Sequence, residues 1–271
     1  ADGYHEVDFV MQELDVHDTI TIESIVENTD IILQCTDVNV PLDERNTCYK
    51  AVQLMQEECQ KKGLRVHGAR VFIEKHIPSA GGLGGGSSNA ATVLKGLNTM
   101  WKTQLSDATL AMLAGKIGSD VPFFIWGKTA RAQGRGEIIS PLPSPPQLHF
   151  AFIVPPIVVP SNKTQWIYSH FSVNNVQEHP SVERMMKAIE EKSVDAMASE
   201  MGNVFESLEL DAYAPAFHLI ASLNTMPGVL KAMLAGAGPT VVVLCDSDKT
   251  ASQIIQPFRM QGWVAFSTHS V

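Results

Sequence analysis

The residues from Ile77 to Ala91 read Ile-Pro-Ser-Ala-Gly-Gly-Leu-Gly-Gly-Gly-Ser-Ser-Asn-Ala-Ala, with glycine at every position from 81 to 86 except 83. Alternating apolar residues around Val71 and Ile73 predict a strand before this stretch, and the residues to about Trp101 predict a helix after it. Glycine backbones can turn their N–H groups inward, and the first N–H groups of a helix attract anions. The order of strand, glycine loop and helix therefore predicts a phosphate-binding site.

The polar residues that end the glycine loop predict where the helix begins. Ser87, Ser88 and Asn89 are good helix-capping residues, and the two hydroxyls are candidates for contacts with phosphate or metal. A flexible linker is the alternative interpretation, which the flanking strand and helix disfavour. Two common nucleotide signatures are excluded. No Gly-Lys-Ser/Thr follows the glycines, and Ser87 and Asn89 stand where Gly-x-Gly-x-x-Gly requires its last glycine.

The composition is that of a globular protein and excludes several classes of function. Hydrophobic residues make up 45% of the 271 residues and charged residues 18%. At about 150 residues per domain, this length predicts one large or two modest domains. The 20 basic and 29 acidic residues give a net charge of −9, which disfavours a general electrostatic grip on nucleic acid or anionic lipid. The longest apolar runs are far shorter than the roughly 18 residues of a membrane span, so we expect no membrane partner.

The cysteines predict free thiols. Cys35, Cys48, Cys59 and Cys245 form no Cys-x-x-Cys pair and no metal-like spacing with the histidines. Free thiols are typical of a reducing compartment, so we expect an intracellular protein. The chain opens Ala1-Asp2-Gly3 without an initiator Met or a signal-peptide pattern, which predicts that further encoded residues precede it.

The order of predicted elements indicates a mixed α/β (α+β) class in two domains. Strands open the chain, helices begin at the capping candidates Asn46 and Ser106, and strands and helices alternate to the end. The apolar run from Phe123 to Trp126 is interpreted as a strand. The proline-rich segment 141–146 can neither continue a helix nor pair in a central strand, so it predicts a boundary between domain 1–145 and domain 146–271.

The glycine-rich stretch resembles the phosphate loop of the GHMP kinases, whose motif reads Pro-x-x-x-Gly-Leu-Gly-Ser-Ser-Ala-Ala. Pro78, Gly82-Leu83-Gly84, Ser87-Ser88 and Ala90-Ala91 carry this resemblance. Further segments are similar to one branch of the family, which acts on a cytidine diphosphate derivative of a small alcohol. These segments are Asp2-Gly3-Tyr4-His5-Glu6, Gly118-Ser119-Asp120-Val121-Pro122-Phe123-Phe124 and Gly134-Arg135-Gly136-Glu137. A last glycine motif of the family is matched near the end by Gly236-Ala237-Gly238-Pro239-Thr240. The resemblance therefore covers nearly the whole chain.

The resemblance implies an ATP-dependent small-molecule kinase with the two-domain GHMP kinase fold. Its N-terminal domain would be ribosomal-protein-S5-domain-2-like, and its C-terminal domain a ferredoxin-like α/β sandwich. Mg²⁺ is the implied second cofactor, with no metal ligand identified. The ATP phosphates would bind the glycine loop, which consists of Pro78, Ser79, Ala80, Gly81, Gly82, Leu83, Gly84, Gly85, Gly86, Ser87 and Ser88.

Asp120 is the catalytic candidate. It follows a predicted helix and precedes an apolar run, a position that can hold a carboxylate away from open water. A surface aspartate in a turn is the alternative for an isolated residue. The resemblance implies that Asp120 accepts the proton of the substrate hydroxyl as that oxygen attacks the γ-phosphate.

The substrate-binding candidates come from both halves of the chain. The resemblance implies that Tyr4 and His5 hold the cytidine, and that Ser161, Lys163 and Trp166 reach the substrate from the second domain. Without the resemblance, Tyr4 is equally well explained by strand packing. Lys163 is then more simply a solvated charge and Trp166 a core residue.

Two features depart from the family pattern. The family's catalytic lysine lies on a first strand upstream of the Gly-Tyr-His segment, so this chain begins too late to include it, and we expect that strand in the full protein. The last glycine motif reads Ala235-Gly236-Ala237-Gly238, where the wider family has Ser-Gly-x-Gly. Side-chain hydroxyls are therefore missing there, and backbone groups would form the turn.

Two other functions stay open on the sequence alone. One is a GHMP kinase for another small alcohol, such as mevalonate, homoserine or galactose. The other is a nucleotide-binding protein without kinase activity, which the missing lysine strand would fit. In every case we expect a small-molecule partner, no nucleic acid and a monomer or homodimer. The location would be the bacterial cytoplasm, or the plastid stroma in a eukaryote.

Overall fold

The chain forms two compact units. The computed structural model describes residues 6–79, 82–158, 163–171, 180–208 and 210–271. The first unit comprises the residues up to Ser79 together with Gly84–Leu142, and the second comprises Ala80–Leu83 and Pro143–Val271. The division after Leu142 falls within the proline-rich segment 141–146. The domain limits 1–145 and 146–271 stay a prediction.

The first unit contains two three-stranded sheets and four helices in its described part. One sheet is antiparallel with the order β1-β5-β6, and the other has the order β2-β4-β3, in which β4 pairs antiparallel with β2 and parallel with β3. In chain order the elements are β1 (Val7–Gln12), β2 (Thr19–Ile25), β3 (Ile31–Cys35), α1 (Thr47–Lys61), β4 (Gly68–Glu74), α2 (Gly85–Met100), α3 (Asp107–Ile117), α4 (Phe123–Trp126), β5 (Thr129–Gly134) and β6 (Ile138–Pro141).

Strand β4 shows why the first unit folds as it does. Its side chains alternate, so that Ala69, Val71 and Ile73 are buried while the intervening residues face outward. Helices α1 and α2 pack against each other and contribute fully buried side chains such as Met55 and Leu94 to the same core. The strand that leads into the glycine loop and the helix that follows the loop are therefore both fixed by one hydrophobic core.

The second unit layers helices on a four-stranded antiparallel sheet with the order β10-β7-β9-β8. All residues of the central strand β9 are buried, and two helices, α8 and α9, pack on the sheet. In chain order the elements are β7 (His149–Val154), α5 (Lys163–His170), α6 (Val182–Glu190), α7 (Val194–Glu200), 3-10 turns at Val204–Ser207 and Asp211–Tyr213, α8 (Ala214–Leu223), β8 (Val229–Leu234), β9 (Val241–Cys245), α9 (Asp248–Met260) and β10 (Val264–His269).

Helices and sheets in both units confirm the predicted mixed α/β class, with two corrections to individual elements. The run Phe123–Trp126, predicted as a strand, forms the one-turn helix α4, because Pro122 holds a helical conformation and the positive φ of Gly127 ends the turn. Helix α7 was not predicted from the sequence, although its start has an ordinary capping residue: Ser193 Oγ accepts a hydrogen bond from Ala196 N.

The predicted caps of α1 and α3 are confirmed. Asn46 Oδ1 accepts from Cys48 N at 2.8 Å at the start of α1, and Ser106 Oγ accepts from Thr109 N at 3.2 Å at the start of α3. Each side chain satisfies one of the N–H groups that a helix leaves unpaired in its first turn. These residues therefore fix where the helices begin.

Ser106→Ala is expected to lower the free energy of unfolding by about 1 kcal/mol, because Thr109 N then loses its acceptor. Ser106→Asp retains an acceptor at this position and should preserve most of the stability. Urea unfolding followed by circular dichroism measures both differences. Equal losses for the two variants would contradict the capping role.

The cysteines are free thiols, as predicted. Cys48 lies in the core of the first unit and Cys245 in that of the second, and burial raises the pKa of each thiol to about 12. Within the described ranges, no helix combines the length and the apolar character that crossing a membrane requires.

Candidate functional site

The glycine loop turns through two left-handed glycines. Gly82 and Gly84 have φ angles of 77° and 71°, which residues with a Cβ rarely adopt. Helix α2 begins directly after this turn, with Gly84 as its N-cap residue. The prediction that Ser87, Ser88 and Asn89 cap the helix is therefore wrong. They lie within its first turns, because Gly84 already makes the sharp entry into the helix.

The start of α2 offers backbone donors to an anion. The first N–H groups of a helix have no partner within the helix, and a glycine at the N-cap has no side chain that competes for them. Gly86 is exposed and Ser87 is partly exposed, whereas Gly85 is buried. This arrangement can bind a phosphate group through backbone N–H groups and the partial positive charge of the helix.

Two hydroxyls hold the backbone of this first turn. Ser88 Oγ donates to Gly85 O at 2.9 Å. Thr47 Oγ1, in the first residue of α1, donates to Gly86 O at 2.7 Å. Both bonds fix the backbone of Gly85 and Gly86, so this turn is held in place by side chains.

The entry to the loop is held by a third hydroxyl. Ser79 Oγ donates to Asp37 Oδ2 at 2.6 Å, and this bond lowers the pKa of the Asp37 carboxyl. Pro78, just before it, is half-buried. The predicted loop residues Ala80 and Gly81 lie outside the described residues. The contact joins the entry of the loop to the segment that follows β3.

A buried ion pair lies at the base of the loop. Lys75 Nζ is 2.5 Å from Asp18 Oδ2, and the two side chains are 9% and 0% exposed. Burial by itself would raise the pKa of the Asp18 carboxyl, but hydrogen bonds from Lys75 and the Ile77 N–H outweigh it, so the pKa lies below its usual value. The carboxylate is therefore ionised at neutral pH.

Asp120 lies in the turn that joins α3 to α4. Val121 is fully buried and anchors this turn, whereas Asp120 is exposed as a residue although the protein around it partly desolvates its carboxyl. The ring of Phe124 reaches the glycine loop, since a Cβ placed on Gly84 would lie 3.0 Å from Phe124 Cζ. Lys95 Nζ, on α2, donates to Phe124 O at 3.1 Å. The structure thus brings the Asp120 segment and the glycine loop into contact.

The Gly134-Arg135-Gly136 turn also lies close to Asp120. Gly136 has a φ of 110°, and a Cβ placed on it would lie 3.6 Å from Ser119 Cβ and 3.9 Å from Asp120 Oδ1. Arg135 N donates to Glu137 Oε2 at 2.7 Å, which closes the turn. Three motifs that are distant in sequence therefore meet within the first unit.

The environment of Asp120 suits a proton acceptor. Desolvation by the surrounding protein raises the pKa of its carboxyl above the usual value, and a hydrogen bond from Ser119 partly opposes this effect. A carboxylate with a raised pKa binds a proton more readily than an ordinary aspartate. The group can therefore take a proton from a bound hydroxyl.

In the second unit, side chains from outside the last glycine motif hold its turn. Asn203 Nδ2 donates to Leu234 O at 3.0 Å and to Gly236 O at 2.7 Å. The hydroxyl of the fully buried Tyr213 donates to Ala237 O at 2.8 Å. The backbone closes the turn as expected from the sequence, since Gly238 N donates to Ala235 O at 2.9 Å. The bonds from Asn203 and Tyr213 hold it in addition, where Ala235 and Ala237 have no hydroxyls.

The tip of the glycine loop belongs to this second unit. Gly82 lies against the turn, with its carbonyl oxygen 3.9 Å from a Cβ placed on Gly236. The φ of Gly236 is 53°, so glycine is favoured there on conformational grounds as well. The two glycine motifs therefore touch.

The substrate-binding predictions are only partly covered by the described residues. Tyr4, His5 and Ser161 lie outside them. Lys163 is the first residue of α5, and its side chain is likewise not described. Trp166 packs within the second unit, where its ring stacks on Tyr213 at 6.0 Å and lies 4.5 Å from the ring of His170. Its role with a substrate stays a prediction.

Several residues of the site were missed by the sequence analysis. Asp18, Lys75, Thr47 and Asn203 all hold glycine-rich turns, but none belongs to a glycine motif. Of these, Lys75 alone could have been singled out from the sequence, because it lies three residues before Pro78, the first residue of the loop. The others contact the loops only through the fold.

Comparison with known proteins gives concordant matches. The family description "GHMP kinases N terminal domain" matches residues 46–128, and "GHMP kinases C terminal" matches residues 185–261. A protein of Geobacillus kaustophilus (strain HTA426), named 4-diphosphocytidyl-2-C-methyl-D-erythritol kinase, is 39% identical over 258 residues, which is 95% of this chain and 86% of that protein.

Solved structures agree. The crystal structure of a 4-(cytidine 5'-diphospho)-2C-methyl-D-erythritol kinase superposes with a TM-score of 0.80 at 25% identity, over 99% of this chain and 91% of the other. Homoserine kinase from Cytophaga hutchinsonii ATCC 33406 superposes with a TM-score of 0.76 at 16% identity, over 98% and 94% of the two chains. The second likeness bears on the fold alone.

Proposed function

This chain belongs to the GHMP kinase family, and from this premise we propose that it phosphorylates the 2-hydroxyl of 4-diphosphocytidyl-2-C-methyl-D-erythritol with ATP, in non-mevalonate isoprenoid precursor biosynthesis. The observation that carries the proposal is the 39% identity to a kinase of that name across 95% of this chain. The family resemblance and the two-domain fold predicted from the motifs are thereby confirmed.

The glycine loop is the proposed site of the ATP phosphates. The backbone N–H groups at the start of α2 would bind them, and the left-handed Gly84, which has no Cβ, allows the Phe124 ring to pack against the loop. ATP would supply the γ-phosphoryl group, and Mg²⁺ bound with it would neutralise charge on the phosphates. Within the described ranges, no cluster of His, Cys, Asp or Glu forms a metal site by itself.

Asp120 is the proposed general base. Its carboxylate accepts the proton of the substrate hydroxyl as that oxygen bonds to the γ-phosphorus and the bond from phosphorus to the departing ADP oxygen breaks. The Gly136 turn and the ring of Phe124 support this assignment, because they keep the Asp120 turn close to the glycine loop. The chain's part in the reaction is thus to hold the phosphates, place the hydroxyl and take one proton.

The remaining assignments extend this proposal. Tyr4 and His5 would bind the cytidine. The substrate would also be contacted from the second domain by Ser161, Lys163 and Trp166. The small molecule would be the partner of a monomer or homodimer. We place the reaction in the bacterial cytoplasm, which fits the bacterial source of the relative and the free thiols.

ADP release by the full-length protein tests the proposed substrate. With 4-diphosphocytidyl-2-C-methyl-D-erythritol as acceptor we expect turnover, and with mevalonate or homoserine at equal concentration we expect little. A preference for mevalonate or homoserine would favour the alternative of another GHMP kinase activity. ATP binding without transfer to any of the acceptors would favour a non-catalytic nucleotide-binding protein.

The raised pKa of Asp120 predicts how activity depends on pH. Because the base must be ionised, kcat/KM for the alcohol should fall with decreasing pH through a midpoint above 3.8, the ordinary value. The pKa of Asp18 is shifted the other way, so the stability it contributes persists until the pH falls below 3.8. Protonation of Asp120 should therefore reduce activity at a pH where Asp18 still contributes its stability, and initial rates and circular dichroism over the same pH range can separate the two losses. Coincident loss of both would contradict this prediction.

A further inference from the structure

Asp18 connects the two ends of the glycine loop. Its side chain has no exposed surface, and its carboxylate accepts four hydrogen bonds. Oδ1 accepts from His76 N and Ile77 N, both at 2.8 Å. Oδ2 accepts from Lys75 Nζ at 2.5 Å and from Asn89 Nδ2 at 2.9 Å. Three of these donors precede the loop, and Asn89 follows it on α2.

The two ends of the loop are also in direct contact. A Cβ placed on Gly85, the first residue of α2, would lie 3.2 Å from both Lys75 Nζ and Ile77 Cγ2. A Cβ at that position would press on both side chains, which would have to give by a few tenths of an ångström. The start of α2 is therefore packed on residues 75–77, which Asp18 holds by hydrogen bonds.

Asp18 itself is rigidly placed. It immediately precedes β2, which pairs with β4 along its length, and Thr19 lies opposite Glu74 in that pairing. Disturbing a buried carboxylate with four donors costs free energy, because any donor or acceptor that loses its partner there stays desolvated. The sheet thus supplies a fixed point from which both ends of the loop are held.

We propose that Asp18 is a positioning residue for the ATP phosphates, which sets the spacing between the residues before the glycine loop and the first turn of α2. This inference rests on the proposed function, in which that turn binds the phosphates. Asp18 does not touch the ligand in this proposal. It acts through Lys75, Ile77 and Asn89, so its loss should weaken ATP binding more than it affects binding of the alcohol.

The test compares ATP binding by the unaltered full-length protein and by Asp18→Asn, using isothermal titration calorimetry in the presence of Mg²⁺. The asparagine retains an acceptor for the backbone N–H groups, but its amide presents donors to Lys75 Nζ and Asn89 Nδ2. We expect the Kd for ATP to rise about tenfold or more, as loss of hydrogen bonds to a buried charge implies. The KM for the alcohol should change little.

Two control variants separate positioning from a merely structural role. Glu23→Gln removes an exposed ion pair to Arg70 between the same two strands and should leave the Kd for ATP within about twofold. Leu97→Ala opens the core of the same unit about 18 Å along α2 from Gly85 and should lower the melting temperature without changing the Kd.

If Asp18→Asn does not fold, Asn89→Ala decides the question. It removes only the hydrogen-bond donor on α2, so the Kd for ATP should also rise, but by less than in Asp18→Asn. An unchanged Kd in whichever variant folds overturns the inference, even if the melting temperature falls. Failure of the proposed function shows differently, as ATP binding without phosphoryl transfer by the unaltered protein. An unaltered protein that binds no ATP overturns both.

Discussion

Asp120→Asn is expected to reduce kcat for ADP release by about 10²- to 10⁴-fold, which is the usual contribution of a general base. Asparagine has nearly the same shape but cannot accept a proton at neutral pH, so the substrate hydroxyl would attack without assistance. The KM for ATP should change little, because Asp120 lies outside the glycine loop. Steady-state kinetics at saturating ATP measure the effect.

A matched substitution tests whether the loss is specific. Asp107→Asn removes the same charge from the first turn of α3, in the same unit but outside the site. It should leave kcat unchanged. If Asp120→Asn retains full activity, or if Asp107→Asn loses as much, Asp120 is not the base. Thermal melting of both variants excludes unfolding as the cause.

Gly84→Ala is expected to raise the KM for ATP by about tenfold or more. The left-handed conformation of Gly84 costs a residue with a Cβ about 1–2 kcal/mol, and the new methyl group would lie 3.0 Å from the Phe124 ring. Either the loop or the ring must then move. Because the ring belongs to the segment that carries Asp120, kcat should fall as well.

Gly63 provides the control for this substitution. Its φ of 64° is close to that of Gly84, and no heavy atom lies within 4 Å of a Cβ placed on it. Gly63→Ala therefore carries a similar backbone cost without the clash, at a turn beyond the end of α1. We expect a lower melting temperature and unchanged kinetics with ATP. If the two alanine variants affect ATP equally, the contact with Phe124 is irrelevant.

Features fixed by neighbouring residues could be predicted from the sequence. The caps Asn46 and Ser106 bind N–H groups within three residues, and the glycine loop is recognisable as a local run of glycines. The run Phe123–Trp126 was misread because a short apolar run has no period that separates a strand from a helix. The backbone conformations of Pro122 and Gly127 make this run a single helical turn.

Contacts across long stretches of chain could not be predicted from residue patterns. Thr47 hydrogen-bonds to Gly86, and Asp18 to Lys75, because the core of the first unit packs α1 against α2 and pairs β2 with β4. The family resemblance pointed to Asp120 and the glycine loop, because such motifs are local strings. It did not point to the residues that hold those strings in position, since they are scattered along the chain.

Two of the three buried thiols, one from each unit, can serve as chemical reporters. Cys48 and Cys245 have almost no accessible surface, and a pKa of about 12 leaves very little thiolate at neutral pH. An alkylating reagent therefore modifies each of them only after the surrounding core has opened. Because one lies in each unit, the modification rates of the two sites report separately on how often each half of the protein opens.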